Sequence, residues 1–167
     1  GFVGGRGSGK SYAGAIDLIR RSRCGRLYLV ASPSYQILAD TTFRTFCDVA
    51  RSLGMLSSAK ASPPPLVRLA NGAEVIFRSA DDPDRLRGPN ISGAWLDEAS
   101  QMDEAAFEVV MASLREAGEQ GWLSLTFTPA GKTHWTYDRF GKEPLAPDTK
   151  LFHARSSDNP FLPPNFV

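Results

Sequence analysis

The sequence predicts an α/β fold, a mostly parallel sheet flanked by helices with an inserted β-hairpin, and three observations carry that prediction. Strand-like and helix-like segments alternate along most of the 167 residues. A glycine-rich run joins the first apolar residues to an amphipathic helix. Asn71-Gly72 sits between two alternating apolar runs, the strongest short-range hairpin signal.

Only Gly1, Phe2 and Val3 precede the glycine run, fewer than the roughly five residues of a typical strand. The first strand is therefore expected to be cut short, and the chain to be a fragment. From Ser11 to Arg21, Tyr12, Ala15, Ile16 and Ile19 recur at helical spacing, and Gly25 supplies a stop. Arg26–Tyr35 reads as a short apolar strand followed by Pro33. Phe46, Val49, Ala50 and Leu53 form the apolar stripe of a second helix ending at Gly54.

Ser57–Leu66 has the composition of a surface loop, because three successive prolines neither continue a helix nor donate to a sheet. The hairpin then spans Leu66–Ala80, and the polar stretch Asp81–Asn90 comes next. Ile91–Ala99 is an apolar strand ending in the acids Asp97 and Glu98. Ser100 and Asp103 make a capping-box pattern ahead of Phe107, Val110, Met111 and Leu114, so a third helix is expected just after the acids. Gly121–Gly131 and Thr149–Ser157 read as the last two strands. One folding unit, residues 1–167, is expected.

A hydrophobic content of 42% with 22% charged residues is globular, and Lys+Arg 19 against Asp+Glu 18 leaves a net charge of +1. That balance excludes a global basic field, so any nucleic-acid contact has to be local. Cys24 and Cys47 lack metal spacing or a partner histidine and read as reduced core residues. No apolar run approaches the ~20 residues of a membrane span, and nothing resembles a secretory signal; an intracellular protein without a membrane partner is expected.

Gly4 to Ser11, "GGRGSGKS", fits the phosphate-loop pattern G-x-x-x-x-G-K-[ST]. Gly4, Gly5, Arg6, Gly7, Ser8 and Gly9 form a run whose backbone amides can point inward at a phosphate, which a Cβ would obstruct. Lys10 would reach the β and γ phosphates, Ser11 would offer its hydroxyl to Mg2+, and the helix start would add its positive dipole end. In "GAWLDEA", the strand carries Asp97 to a position where it can hold the same ion, and Glu98 to one where it can deprotonate a water. This spacing of loop and acids points to the additional-strand, catalytic-glutamate class of P-loop ATPases, with ATP and Mg2+ as cofactors. Arg6, inside the loop, suits an arginine finger acting in cis.

The sequence resembles the N-terminal ATPase domain of the large terminase subunit of tailed bacteriophages. The resemblance rests on "GGRGSGKS", on "ANGAEVIFRSADDPDRLRG" leading into "GAWLDEA", on "TFTPAGKTHWTYDRF" and on "SSDNPFLPPNFV". It implies ATP hydrolysis that drives double-stranded DNA into a procapsid. The implied setting is a homo-oligomeric ring on the portal protein, with the small terminase subunit as partner, in the host bacterial cytoplasm. It also implies that Arg87, in "RLRG", reaches the neighbouring subunit's nucleotide; the competing reading pairs Arg87 with Asp81, Asp82 or Asp84, and Arg85 is a nearby rival. Thr126 and Thr128, in "TFT", match the family's coupling motif, where a hydroxyl would sense the γ phosphate and pass the difference to the Pro129-Ala130-Gly131 turn. The family's adenine-contacting segment and its nuclease domain are missing from these residues, so no DNA cleavage is expected of this chain.

His134, Trp135 and Tyr137 read as a small core under a loop rather than as a base-stacking platform, and His153 as structural. Lys132, Arg139, Lys142, Lys150 and Arg155 are too scattered to define a DNA track. Two other functions stay open on sequence alone: a helicase-like P-loop motor, and a module that binds nucleotide without hydrolysing it.

Overall fold

The computed structural model describes residues 1–163, so the end of the "SSDNPFLPPNFV" stretch lies outside the described residues. Eight strands form one sheet in the order β3-β4-β5-β2-β6-β7-β1-β8. The strands are β1 (Phe2–Gly4), β2 (Leu27–Ser32), β3 (Leu56–Lys60), β4 (Leu66–Leu69), β5 (Glu74–Ser79), β6 (Gly93–Asp97), β7 (Trp122–Phe127) and β8 (Phe152–Ala154). From β5 through β8 all neighbours run parallel, and β3, β4 and β5 pair antiparallel. β7 thus lies between β1, which feeds the glycine loop, and β6, which carries the acids.

Alternation along the strands decides what each face buries. Tyr28 and Val30 of β2 and Trp95 of β6 point to the side covered by α1 (Lys10–Arg21) and α3 (Phe43–Ser52), where Ala15, Leu18, Ile19, Phe46 and Val49 complete one core. Leu29, Ala31, Ala94 and Leu96 point to the other side. There they meet Ala106 and Val110 of α4 (Glu104–Ser113) and Phe140 of α5 (Trp135–Phe140). Each of the larger side chains contributes about 1.5–3 kcal/mol when fully buried, and β6 is buried at all five positions because it is covered on both faces.

α1 lies directly on β6. An added Cβ at Gly14 would sit 2.5 Å from Trp95 Cε2, so the helix backbone rests against the indole. The Asn71-Gly72 hairpin forms as expected: Gly72 takes φ 83°, and Asn71 Oδ1 accepts from the Ala73 amide.

The structure departs from the sequence expectations in several places. Ser57–Lys60 is not loop but most of β3, paired with β4 in the register Ser58↔Arg68, Ala59↔Val67 and Lys60↔Leu66. An edge strand with exposed side chains needs no apolar alternation, and only the prolines after it make the turn. The Ser100/Asp103 box does not form. Ala99–Gln101 is a 3-10 turn, and α4 starts at Glu104 with Asp103 as its cap, accepting from the Ala105 amide. Tyr35 belongs not to β2 but to a short α2 (Tyr35–Ile37), which runs through a π-helical turn, Leu38–Thr42, into α3. α5 was hidden in the aromatic stretch after β7, where His134 caps the helix and Trp135 packs on Phe107 beside Phe140, as a small core should. Cys24 is exposed rather than in the core. Cys47 is buried, and that burial pushes its thiol up to about 11, so it stays protonated at neutral pH.

Candidate active site

The carboxyl ends of β1, β2, β6 and β7 meet at one edge of the sheet, where open α/β sheets bind their ligands. The glycine loop leaves β1 there and enters α1 at Lys10. Gly7 and Gly9 take φ 76° and 84°, the left-handed region in which a side chain is strained. Gly4 and Gly5 serve a different need, close approach. A Cβ on Gly4 would sit 2.8 Å from the Ala154 carbonyl and one on Gly5 2.5 Å from Ser156 Oγ. The chain just beyond β8 braces the loop from outside. Ser156 Oγ donates to the Arg6 carbonyl and Asn159 Nδ2 to the Gly7 carbonyl, both at 2.7 Å.

Asp97 ends β6 on the α1 side, two residues beyond Trp95, and is 1% exposed. Ser11, one turn before Gly14 on α1, lies above it and donates from Oγ to Oδ1 at 2.9 Å. Thr126, the register partner of Asp97 on β7, also donates to Oδ1, at 2.7 Å. On the other oxygen, Thr42 Oγ1 donates to Oδ2 at 2.8 Å. Three hydroxyl bonds to one carboxylate hold its charge in place inside the protein.

Glu98 leaves the strand with φ 53° and ψ 44°, a left-handed conformation that costs a non-glycine residue about 1–3 kcal/mol. Its Oε1 lies 3.0 Å from Lys10 Nζ, and that ammonium is only 8% exposed. The sharp turn therefore brings the second acid onto the lysine of the loop. Arg6 is exposed, and its side chain makes no ion pair among the described residues, although its backbone is tied down through Ser156. Arg87 is exposed and pairs with Asp84, Nε to Oδ1 at 2.6 Å, while Arg85 faces Asp81 and Asp82. Thr128 is half-buried and makes no side-chain hydrogen bond among the described residues. Thr126 is fully buried, so its contact is with Asp97 rather than with the phosphate loop itself.

The donor set suits a nucleotide phosphate with Mg2+. The Ser8 hydroxyl, within the loop, is the one buried side-chain polar atom without a partner among the described residues. Ser11 and Asp97 offer two hard oxygens at the mouth of the loop. No group of three or more His, Cys, Asp or Glu that could hold a metal occurs among the described residues. Mg2+ commonly takes only one or two protein ligands and keeps phosphate oxygens and waters for the rest.

The sequence model of the phage terminase large subunit matches residues 2–167. The chain belongs to that family. Among curated proteins it is 29% identical over 187 residues to the PBSX phage terminase large subunit of Bacillus subtilis (strain 168), covering 99% of this chain and 43% of that protein. The terminase chain thus spans less than half the length of this relative. Among solved structures it is similar to the Thermus phage P74-26 large terminase ATPase domain, with TM-score 0.66, 24% identity, and 91% and 73% of the two chains covered. The large terminase of a thermophilic bacteriophage, in complex with ADP, aligns with TM-score 0.70 and 19% identity over 98% and 42% of the two chains. These two likenesses establish the terminase ATPase fold.

In this terminase domain the sequence-predicted Lys10, Ser11, Asp97, Glu98 and Thr126 converge, whereas among the described residues Arg87 and Thr128 make no side-chain hydrogen bond or ion pair with them. Sequence reasoning missed Thr42, Ser32 and Trp95 around the carboxylate, and Ser156 and Asn159 behind the loop. A serine ending the strand beside β6 was a usable signal for Ser32. The others arise from tertiary contact alone.

Proposed function

We propose that this chain is the ATP-hydrolysing motor domain of a phage terminase large subunit, working with Mg2+ to move double-stranded DNA into a procapsid. The observation that carries the reading is the hydrogen bond of Ser11 to Asp97, with Lys10 and Glu98 paired beside it. ATP brings the phosphoanhydride, and Mg2+ supplies the positive charge that offsets its oxygens. Ser11 and Asp97 would hold the ion, and the amides of Gly5 to Lys10 would hold the phosphates together with the start of α1. Lys10 cannot serve a phosphate and Glu98 equally. As its ammonium turns to the phosphates, Glu98 Oε1 is freed to take a proton from water.

Arg6, anchored by its backbone and without an ion pair among the described residues, would fold over the γ phosphate in cis. Arg87 is kept on the surface by Asp84 and is the candidate for a neighbouring subunit's site in a ring on the portal. Thr126, with Thr128 near the following turn, couples Asp97 to β7. The small terminase subunit is the further partner, and the host bacterial cytoplasm the location. No helix among the described residues is long and apolar enough to cross a membrane.

The test is Glu98→Gln in the natural full-length protein. ATP hydrolysis should fall about 10²- to 10⁴-fold while nucleotide binding persists; wild-type turnover would remove Glu98 from the mechanism.

A further inference from the structure

We propose that Thr42 is a positioning residue for the metal-side carboxylate, its hydroxyl aimed by Ser32 and fixing the plane of Asp97. The proposal rests on the reading of Ser11 and Asp97 as the Mg2+ site. Ser32 Oγ donates to Thr42 Oγ1 at 2.7 Å, which occupies a lone pair and leaves the single Thr42 hydrogen for Asp97 Oδ2 at 2.8 Å. The arrangement is mirrored on the other oxygen. Trp95 Nε1 donates to Thr126 Oγ1 at 2.8 Å, and Thr126 donates to Oδ1 at 2.7 Å. When the Ser11 hydroxyl turns to the ion, Asp97 keeps one hydroxyl on each oxygen, from two elements on either side of β6. Ser32, Thr42 and Thr126 are all fully buried, so water does not replace a missing member.

Local structure supports the assignment. Thr42 closes the π-helical turn Leu38–Thr42, whose i→i+5 bond runs from the Phe43 amide to the Leu38 carbonyl. π turns are rare and concentrate at functional sites. One inserted residue rotates the rest of the helix by about 100°, and here Thr42 is turned inward while Thr41 is exposed. The turn thus uses a rare geometry to point one hydroxyl at Asp97.

The experiment is Mn2+ binding, measured by electron paramagnetic resonance, to the natural full-length protein saturated with ADP. Thr42→Val should weaken Mn2+ by about 10- to 100-fold, the usual effect of removing an outer-shell partner, with ADP affinity in the absence of divalent ions unchanged. Thr42→Ser should bind close to wild type. Wild-type Mn2+ affinity in a folded Thr42→Val protein overturns the proposal, and so does a Thr42→Ser variant as weak as Thr42→Val, because the retained hydroxyl would then not be what sets the binding. Should Thr42→Val not fold, Ser32→Ala decides: weaker Mn2+ binding supports the relay, and unchanged binding overturns it. Failure of the wild-type protein to bind Mn2+ with ADP would instead remove the metal site itself, and this proposal with it.

Discussion

Arg6 and Lys10 sit four residues apart in one loop, yet their surroundings assign them opposite behaviour. Lys10 is buried against Glu98, whereas Arg6 is exposed and its side chain makes no ion pair among the described residues. A backbone-anchored arginine of this kind contributes little to holding nucleotide at rest and much once charge develops on the transferring phosphoryl group. Arg6→Ala should therefore leave the ATP dissociation constant near normal and lower single-turnover hydrolysis by roughly 10³-fold or more. A loss confined to affinity would make Arg6 a ground-state contact. The meeting of Lys10, Ser11, Asp97 and Glu98 at one site was legible in the sequence because the residue types and spacing of the two motifs predict it. Thr42 was not, since nothing in "ADTTFRT" distinguishes Thr42 from Thr41 until the π turn buries one and exposes the other.

At the scale of elements, the site depends on how closely α1 lies on β6. Replacing Gly14 with Ala would gain up to about 1 kcal/mol in helix propensity. The new methyl group would overlap Trp95 at 2.5 Å from Cε2, and overpacking of this kind costs about 1–3 kcal/mol. The packing term wins because the obstacle is a buried ring between helix and sheet. We expect a net loss of about 1–2 kcal/mol, read as a thermal midpoint lower by roughly 2–8 °C. A midpoint at or above wild type would show that α1 can lift off Trp95 freely. The buried strands and the Asn-Gly hairpin were readable because their apolar patterns are imposed by two covered faces or by turn chemistry. β3 was not, because an edge strand of Ser, Ala and Lys carries neither signal, and its pairing comes from β4 alone.

For the whole molecule, the relevant unit under the proposed function is the ring of subunits. Arg87 lies on the surface and is held by an exposed pair with Asp84, an interaction worth at most about 1 kcal/mol, so a neighbouring subunit's nucleotide can compete for it. If it acts in trans, mixing Arg87→Ala subunits with Glu98→Gln subunits should restore part of the ATP turnover that each lacks alone, because an Arg87→Ala site would be completed by its neighbour. No recovery in mixed assemblies would place Arg87 in cis or outside the mechanism.

The bracing of the glycine loop by Ser156 and Asn159 has a consequence for biosynthesis. The loop carbonyls of Arg6 and Gly7 find their partners about 150 positions later in the chain, and β1 is flanked on one side by β8. At about 5–20 residues per second, a ribosome needs roughly eight to thirty seconds between making the loop and making its support. Throughout that interval the nascent chain carries the phosphate-loop sequence without this support, so the proposed nucleotide site is complete only once Asn159 has emerged.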